Sequence, residues 1–270
     1  MVTQTAWHPL IHTPGVGKAL APWYHFSIDD VFASLIEVSD AKIPLFAHPY
    51  FAMLKRLHGE YGLTVGLHLF HEGRIGGKLR SLRDIRDLRN EIENDGDWLF
   101  FGPHALNFET APYNQTPADQ IASFDKIYAE IDRFAGRAFY AQWVRLHYYS
   151  ESYELADYFA GKGVAALFST ERPAGSHRMP GEIKDGLIHT GSATFERMNF
   201  IRTQFRVESF ADDWLGKDDI KKLFAEALAT YKYIIFYTHE YEFVRQDVCH
   251  KTEDSCRALK ELGVTPLPHA

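Results

Sequence analysis

The stretch Trp23-Tyr24-His25-Phe26-Ser27-Ile28-Asp29-Asp30 decides how the rest of the chain is interpreted. An apolar, aromatic run ends there in two adjacent carboxylates, and a helical pattern begins at Val31, so the pair lies where a strand passes into a helix. Neighbouring carboxylates repel each other, and the pKa of one of them rises unless a cation or hydrogen-bond donors compensate. Asp30 is therefore either a helix N-cap beside a solvated Asp29, or one of two acids in a functional site.

Short apolar runs rich in β-forming residues alternate with helical patterns along the chain. The runs cover residues 24–28, 63–70, 98–101, 139–147, 164–168, 201–207 and 233–237. The helical patterns cover residues 50–60, 81–94, 117–135, 152–161, 218–230 and 252–262. Near-continuous apolar strands that alternate with helices indicate a parallel sheet covered by helices. The number of units predicts an α/β fold, a closed or nearly closed (β/α) barrel of about seven parallel strands.

Composition limits the possible partners. With 270 residues, 46% of them apolar, the chain can form one large core, so we expect a single domain over residues 1–270. The formal net charge of -7 argues against binding to nucleic acid or anionic membranes, because such surfaces need clustered Lys and Arg in excess. The basic cluster at residues 78–89 contains acids at helical spacing, which predicts a solvated helix face with ion pairs. Residues 170–203, rich in Pro and Gly, predict loops with a short hairpin.

The sequence shows no targeting pattern. Residues 1–9 lack the basic start and apolar core of a signal peptide, and no apolar run approaches the length of a membrane span. Cys249 and Cys256 are spaced neither as paired metal ligands nor as a redox dithiol, so we expect reduced thiols. These patterns predict a cytoplasmic protein without a membrane span.

Polar residues follow the carboxyl ends of the predicted strands, the rim at which the loops of a barrel carry function. Asp30, His68, His104 and Arg145 follow one another at intervals of 36 to 41 residues, about one strand-helix unit each, so we expect them to face a common axis. Two or three histidines and a carboxylate at one rim suit zinc, with cobalt, iron or manganese as alternatives. The other polar residues at this rim are Asp29, His147, Glu208, His239 and Glu240.

Each of these residues also has a purely structural interpretation. His68 is equally consistent with a buried histidine that bonds to the backbone, and His104 follows a Gly-Pro pair that already predicts a turn. His239 could simply be neutralised by an acid that follows it. Arg145 is different, because a buried guanidinium without a partner is costly, and Asp29 is its natural partner.

Five short motifs, in order along residues 24–243, resemble those of the NodB-type polysaccharide deacetylases, carbohydrate esterase family 4. They are Ser27-Ile28-Asp29-Asp30, residues 98–104 ending in Gly-Pro-His, Arg145-Leu146-His147-Tyr148, Val207-Glu208-Ser209 with Asp213-Trp214, and residues 234–239 ending in Thr-His. The fourth motif carries Glu where the family has Asp, with two extra residues before Asp213-Trp214. The resemblance implies a distorted seven-stranded (β/α) barrel that removes N-acetyl groups from amino sugars with a divalent metal, zinc first among the candidates.

The resemblance also implies roles for individual residues. Asp29 would be the general base, oriented by Arg145, and His239, positioned by Glu208, would protonate the departing amine. A backbone amide near residues 147–148 would help to hold the oxyanion.

The metal ligands follow the family less closely. Asp30 and His104 match its ligands, but Phe108 stands where the family has a second ligand histidine. Gly66-Leu67-His68 resembles a strand end of the related YdjC-like deacetylases. We therefore expect Asp30, His68 and His104 to bind the metal, with His147 or Glu109 as substitutes for His68.

The resemblance predicts a small-molecule or lipid-linked saccharide substrate, and the predicted location points to an intermediate of surface-polysaccharide assembly such as O-antigen. Residues expected at the sugar are Trp143, His147, Tyr148 and Trp214, with Tyr24 and Tyr149 as further stacking candidates. Two alternatives stay open. One is a glycan-binding barrel without activity, because Phe108 replaces a ligand, and the other is a different metal-dependent barrel hydrolase or sugar isomerase. The oligomeric state is open.

Overall fold

Parallel strands in two sheets form the centre of the fold. The computed structural model describes residues 22–170 and 179–267. The strands are β1 (Trp23–Val31), β2 (Val65–Phe70), β3 (Glu72–Ile75), β4 (Lys78–Ser81), β5 (Leu99–Ala105), β6 (Trp143–Val144), β7 (Ala166–Ser169), β8 (Ser192–Phe195), β9 (Met198–Arg202), β10 (Phe205–Arg206), β11 (Tyr233–His239) and β12 (Thr265–Pro266). The helices are α1 (Ala33–Ala41), α2 (Pro49–Tyr61), α3 (Arg89–Asp95), α4 (Pro117–Phe134), α5 (Ala156–Gly161), α6 (Gly181–Thr190), α7 (Val207–Asp212), α8 (Lys217–Tyr231) and α9 (Gln246–Glu261).

Two seams join the sheets into one barrel. The larger sheet has the parallel order β10-β11-β1-β2-β5, and the smaller has β6-β7-β9 parallel with β8 added antiparallel. β5 meets the segment before β6 through a bridge between Phe101 and Tyr140. At the other seam, β9 runs on into β10, which pairs with β11. Counting β9 and β10 as one strand, the described residues hold seven parallel barrel strands, which confirms the predicted α/β barrel.

Apolar side chains fill one end of the barrel interior. This core contains Trp23, Trp143, Ala166, Phe168, Ile201, Tyr233, Ile235 and Leu267. Side chains alternate along a strand, so Asp29 shares a face of β1 with Trp23, and His239 shares a face of β11 with Tyr233. The larger apolar core lies between the opposite faces of the strands and the helices, and it includes Phe26 and Phe236. The alternation therefore directs the polar residues at the strand ends into the open end of the barrel.

The segment after β2 differs from the helix predicted over residues 81–94. β3 and β4 form an antiparallel hairpin whose turn consists of Gly76 and Gly77, with φ of 57° and 79°. Two successive glycines in this left-handed region reverse the chain from β3 into β4, a 3-10 turn over Leu82–Asp84 follows, and helix α3 begins only at Arg89. The basic cluster at residues 78–89 therefore lies on a hairpin and the turn after it, and its prediction as a helix face is wrong.

The irregular region predicted over residues 170–203 is partly regular. β8 and β9 form the expected hairpin, but residues Gly181–Thr190 form helix α6, where loops were predicted. Residues 171–178 lie outside the described residues, as do residues 1–9.

Both cysteines are unbridged, as predicted from their spacing. Cys256 is buried, and Cys249 is half-buried. Among the helices of the described ranges, none has the length and apolar character that crossing a membrane requires.

Candidate metal centre and catalytic residues

Asp29 and Asp30 reach one site because β1 is irregular at its carboxyl end. In a regular strand, successive side chains point to opposite faces. Here the pairing of β1 with β2 shifts register between Ile28 and Val31, and Asp30 adopts a left-handed φ of 60°. Both carboxylates consequently lie within 4.8 Å of a ring nitrogen of His104. A left-handed non-glycine residue of this kind is typical of functional sites.

Asp30, His104 and His147 bring three potential ligand atoms together. His104 Nε2 lies 3.1 Å from Asp30 Oδ1 and 3.2 Å from His147 Nδ1. His147 Nδ1 lies 3.5 Å from Asp30 Oδ1. His104 comes from β5 and His147 from the turn after β6, where Tyr148 and Tyr149 have left-handed φ values of 52° and 51°. We call Asp30, His104 and His147 the three-ligand group.

The hydrogen bonds of the two histidines turn their N–H groups away from this group. His104 Nδ1 donates to the Arg145 carbonyl at 2.8 Å, and His147 Nε2 donates to the Phe108 carbonyl at 3.0 Å. A carbonyl oxygen only accepts, so the facing nitrogens of the neutral rings carry lone pairs. Burial, with His104 beside it, lowers the pKa of His147 to about 4, which keeps its ring neutral at pH 7.

This arrangement fits a divalent cation. Two lone pairs and a carboxylate repel one another unless a cation lies among them, and Asp30 Oδ1 has no hydrogen-bond partner within the described part of the chain. Ligands held roughly 2.1 Å from one zinc ion at angles of about 90 to 109° lie about 3.0 to 3.4 Å apart. The three observed separations are 3.1, 3.2 and 3.5 Å. Three protein ligands also leave a coordination position open, as catalytic sites require.

Phe108 explains how His147 joins the group. The Phe108 carbonyl accepts the hydrogen bond that fixes the His147 ring, and the two rings lie 5.7 Å apart between centroids. Position 108, where the family resemblance predicts a second histidine, therefore orients His147 through its backbone carbonyl. Glu109, the other substitute ligand, is exposed and is not part of the group.

Asp29 lies beside the three-ligand group in a buried network of its own. Its Oδ1 accepts a hydrogen bond from His68 Nδ1 at 2.8 Å, and its Oδ2 lies 3.2 Å from Arg145 Nε. Burial alone would raise the pKa of this carboxyl, but the Arg145 charge and the two histidines outweigh it and hold the pKa well below its usual range. The Arg145 guanidinium also lies over the Tyr237 ring, 4.2 Å from its centroid. The predicted pairing of Asp29 with Arg145 is confirmed.

His239 lies beside Asp29, at the end of the neighbouring strand β11. It is the register partner of Asp29 in the β1–β11 pairing. Its Nδ1 donates to Glu208 Oε1 at 2.6 Å, and its backbone N–H donates to the same oxygen at 3.0 Å. Burial opposes protonation, but the hydrogen bond and charge of the fully buried Glu208 prevail and raise the pKa of His239. The predicted contact of His239 with Glu208 is confirmed.

Glu240 has a structural role that the sequence did not indicate. Its Oε2 accepts from the N–H groups of Phe32 (3.0 Å) and Ala33 (2.8 Å), and its Oε1 accepts from the Ser34 N–H (3.0 Å). These are the first amides of α1, so Glu240 caps this helix from the opposite end of the chain. The alternative in which Asp30 caps the helix is excluded, because the residue at that position is Phe32.

Comparisons with known proteins support the fold. No protein-family model and no curated protein sequence matches the chain. Among solved structures, a family 4 carbohydrate esterase from Streptomyces lividans in complex with acetate is similar, with a TM-score of 0.52, 8% identity, and coverage of 92% of this chain and 93% of the other. The fold is that of the family 4 carbohydrate esterases. The resemblance of the five motifs is thereby confirmed at the level of the fold.

The carbohydrate esterase fold does not decide the reaction by itself. A 4-alpha-glucanotransferase from Thermococcus litoralis is similar at a TM-score of 0.51 and 13% identity, and the match covers 92% of this chain and 37% of that one. Proteins with different chemistry thus share this architecture, and function has to be argued from the site.

Within this esterase fold, the His68 side chain bonds to Asp29 and not to Asp30. The neutral His68 ring donates its Nδ1 N–H to Asp29 at 2.8 Å, and its Nε2 accepts from the Arg145 backbone N–H at 3.4 Å. His68 shares a second candidate group with Asp29 and His104, but these two hydrogen bonds already occupy both ring nitrogens. The ligand set expected from the sequence, Asp30 with His68 and His104, is therefore not the set that the structure assembles around Asp30. Burial also lowers the pKa of His68, so its ring is neutral.

The aromatic residues expected at the sugar divide into two groups. Trp143 and Tyr24 are buried, 2% and 3% exposed, so their prediction as sugar-binding residues is wrong. Trp143 packs in the barrel interior with Trp23. It lies two residues before Arg145 in extended chain, so the two side chains point to the same, inward face. Tyr148 is 45% exposed, with its ring against His147 at 4.0 Å between centroids, and stays a candidate. Trp214 is 90% exposed and follows α7, and among the described residues no hydrogen bond or ring contact links its side chain to the site.

Sequence reasoning missed Tyr241. Its ring stacks on that of His239 at 5.1 Å and 21°, and it is 53% exposed. The signal was an aromatic residue two positions after the histidine that ends the last strand.

Proposed function

We propose that the protein is a metal-dependent hydrolase that removes the N-acetyl group from an amino sugar in a saccharide. The observation that carries this proposal is the three-ligand group, with its N–H groups directed away, beside an ionised Asp29 and a His239 of raised pKa. An ionised base, a protonated acid and a Lewis-acid site are the parts that amide hydrolysis needs.

Each residue of the site would have its own role in the reaction. Asp30, His104 and His147 would hold a divalent cation, which would supply a Lewis acid for the acetyl carbonyl and for water. Asp29 accepts a proton from the attacking water, and His68 and Arg145 hold its carboxylate in place. The carbon–nitrogen bond then breaks, and His239 gives its proton to the leaving amine. Acetate and a free amino sugar are the products.

Further details of the proposal rest on the chemistry of the ligands. Zinc is the first candidate, because two imidazoles and one carboxylate form a common catalytic zinc site. Backbone N–H groups near Tyr148, in the left-handed turn, would help to hold the oxyanion. The assignment of the substrate to surface-polysaccharide assembly and the cytoplasmic location stay predictions from the sequence.

Acetate release from N-acetylglucosamine and its β-1,4-linked oligomers by the zinc-loaded protein tests this function. We expect Asp29→Asn to reduce the rate by about 10²- to 10⁴-fold, because a general base contributes on that order, while the metal content stays at one ion per chain. Asp87→Asn, an exposed acid remote from the site, is the matched control and should leave the rate unchanged. Undiminished acetate release by Asp29→Asn would exclude Asp29 as the base, and sugar binding without any release would favour the inactive glycan-binding barrel.

A further inference from the structure

Arg206 places a positive charge in the open end of the barrel, near the proposed acid. It ends β10, where it is the register partner of Tyr237 on β11. Phe205 packs outward against Phe224 of α8, and side chains alternate along a strand, so the Arg206 side chain points inward. Tyr237 points to the same side, because its ring lies against the Arg145 guanidinium. Arg206 therefore faces the opening that contains the proposed site.

The Arg206 guanidinium has no hydrogen-bond acceptor within the described part of the chain. Its Nε lies 3.6 Å from Glu208 Oε2, beyond hydrogen-bond distance, and is buried without a partner. The two terminal nitrogens reach the surface, because the side chain is 32% exposed and only Nε is fully covered. An arginine that binds a carboxylate tightly commonly forms two parallel hydrogen bonds with it. Arg206 does not do so, and its terminal N–H groups stay available to a ligand.

Glu208 is engaged by His239 and not by Arg206. Its Oε1 accepts from the Nδ1–H of His239 at 2.6 Å and from the backbone N–H of the same residue at 3.0 Å. Burial opposes the charge of Arg206, but the nearby carboxylate and tyrosine hydroxyl groups outweigh it and raise the pKa of Arg206. Arg206 is therefore a permanent cation, separated from the proposed acid by one carboxyl group.

Arg206 adds a positive charge that the proposed reaction does not use. The other charged side chains of the proposed site form pairs of their own, Asp29 with Arg145 and Glu208 with His239. Asp30 would offset only half the charge of a divalent cation. Of the acids that flank the site, Asp212 and Glu242 are paired with Arg245, at 2.8 and 3.1 Å. An anion is the ligand that such a charge distribution attracts.

The position of Arg206 indicates which part of a substrate it would contact. His239 is the proposed proton donor to the amine that leaves with the sugar, and Arg206 lies on β10, next to the strand that ends in His239. The acetyl group would lie at the three-ligand group, on β1, β5 and the turn after β6. The anion would therefore be carried by the sugar and not by the acyl group.

We propose that Arg206 binds an anionic group of the saccharide, a carboxylate or a phosphate, and makes the enzyme selective for negatively charged sugars. The planar fork of N–H groups on a guanidinium matches both kinds of anion. The proposal rests on the proposed function for the identity of the reacting sugar, whereas the anion contact rests on the placement of Arg206.

Binding is the direct test and does not need turnover. The probes are N-acetylglucosamine, N-acetylglucosaminuronic acid and N-acetylglucosamine 1-phosphate, titrated by calorimetry into the zinc-loaded Asp29→Asn protein. We expect at least one of the two anionic sugars to bind about tenfold more tightly than the neutral sugar, because hydrogen bonds to a charged group contribute on that order. Tighter binding of the uronic acid would assign a carboxylate, and tighter binding of the 1-phosphate would assign a sugar phosphate.

Substitutions of Arg206 in the same protein test whether this residue causes the preference. Arg206→Gln should lower the affinity for the anionic sugar to that for the neutral one, and Arg206→Lys, which keeps the charge but not the fork, should keep part of the preference. Arg206→Met, a second uncharged variant of similar length, serves where Arg206→Gln does not fold. Arg137→Gln is the matched control, because this arginine is 81% exposed and precedes β6, at the opposite end of the barrel.

Two binding results would overturn the proposal. One is equal affinity for charged and neutral sugars, and the other is a preference that survives in the uncharged variants, because the anion would then be held elsewhere, for example by the zinc ion. Acetate release by the wild-type protein separates this proposal from the proposed function. Arg206-dependent binding of an anionic sugar without acetate release would support the anion site and refute the deacetylase, whereas acetate release without an Arg206-dependent preference would do the reverse.

Discussion

His147 is the residue on which the metal site depends. A histidine is missing at position 108, yet the Phe108 carbonyl fixes the His147 ring so that its free nitrogen faces Asp30 and His104. His68, also buried, donates its Nδ1 N–H to Asp29, and its Nε2 accepts from the Arg145 backbone N–H. Two histidines at the same end of the barrel thus have different functions because of their hydrogen-bond partners.

Metal content distinguishes the two histidines. We expect the wild-type protein to hold about one divalent ion per chain after zinc loading and desalting, and His147→Ala to lose it, because one of three ligands is removed. His68→Gln should keep the ion, since its ring only orients Asp29 and borders the barrel interior. Elemental analysis by mass spectrometry measures both. A His68→Gln protein without metal, next to a fully loaded His147→Ala protein, would restore the ligand set expected from the sequence.

The protonation of His239 sets a pH limit on the proposed reaction. His239 has to be protonated to act as acid, and the Glu208 hydrogen bond raises its pKa, so activity falls only as pH rises through that raised value. Glu208→Gln removes the negative charge and lowers the pKa of His239, which moves the alkaline fall of kcat to lower pH. Glu242→Gln, a neighbouring acid paired with Arg245, is the control and should leave the profile unchanged. An unmoved profile in Glu208→Gln would show that His239 is not the acid.

At the scale of elements, α1 depends on a cap from the other end of the chain. Glu240 follows β11 and accepts from three successive N–H groups at the start of α1. Because β1 and β11 are neighbours in the sheet, the cap ties the first helix to the last barrel strand. The same segment supplies Tyr241, whose ring stacks on that of His239.

Loss of this cap should destabilise the protein measurably. We expect Glu240→Ala to lower the free energy of unfolding by about 2 kcal/mol, because several amides lose a charged acceptor at once. Glu60→Ala removes an exposed pair with Arg56 of 3.1 Å and should cost less than about 1 kcal/mol. Urea unfolding followed by circular dichroism compares the two variants. Equal stability of both variants would contradict the capping role.

At the scale of the whole molecule, the three-ligand group joins separate parts of the barrel. Asp30 lies on β1, His104 on β5, and His147 after β6, on the far side of the seam between the two sheets. Among the described residues, that seam has the isolated bridge between Phe101 and Tyr140 and the backbone hydrogen bond from Ala141 to Phe101, so a cation bound by all three residues would strengthen the barrel where its pairing is sparse.

Removal of the metal should therefore lower the melting temperature. A ligand at about a thousand times its Kd stabilises the folded state by about 4 kcal/mol, which corresponds to roughly 10 °C in a protein of this size. We expect a drop on that order after treatment with a chelator and recovery on addition of zinc, measured by differential scanning calorimetry. Asp30→Ala should not respond to either reagent. A wild-type melting temperature that is insensitive to the chelator would argue against a structural link through the metal.

The sequence by itself determined the barrel, because the alternation of apolar strands and amphipathic helices depends on local periodicity that each segment carries. It also placed Asp29, Arg145 and His239 at one rim, because strand ends in a parallel barrel meet there whatever the loops do. The helix predicted at residues 81–94 begins only at Arg89, because Lys78–Ser81 pair with β3 as a strand and a 3-10 turn over Leu82–Asp84 follows. The helical spacing of charged residues in this segment does not reveal that strand pairing.

Tertiary structure alone decided the roles of the histidines and the two carboxylates. Whether His68 or His147 offers a free nitrogen depends on two backbone groups, the Arg145 N–H at His68 and the Phe108 carbonyl at His147, which are distant in sequence and show no side-chain pattern. The adjacent Asp29 and Asp30 face one site only because the register of β1 against β2 shifts between Ile28 and Val31, where Asp30 adopts a left-handed φ of 60°. Hydrogen-bond direction and strand register are properties of the assembled barrel, and these fix which residues can bind a metal and which can act as a base.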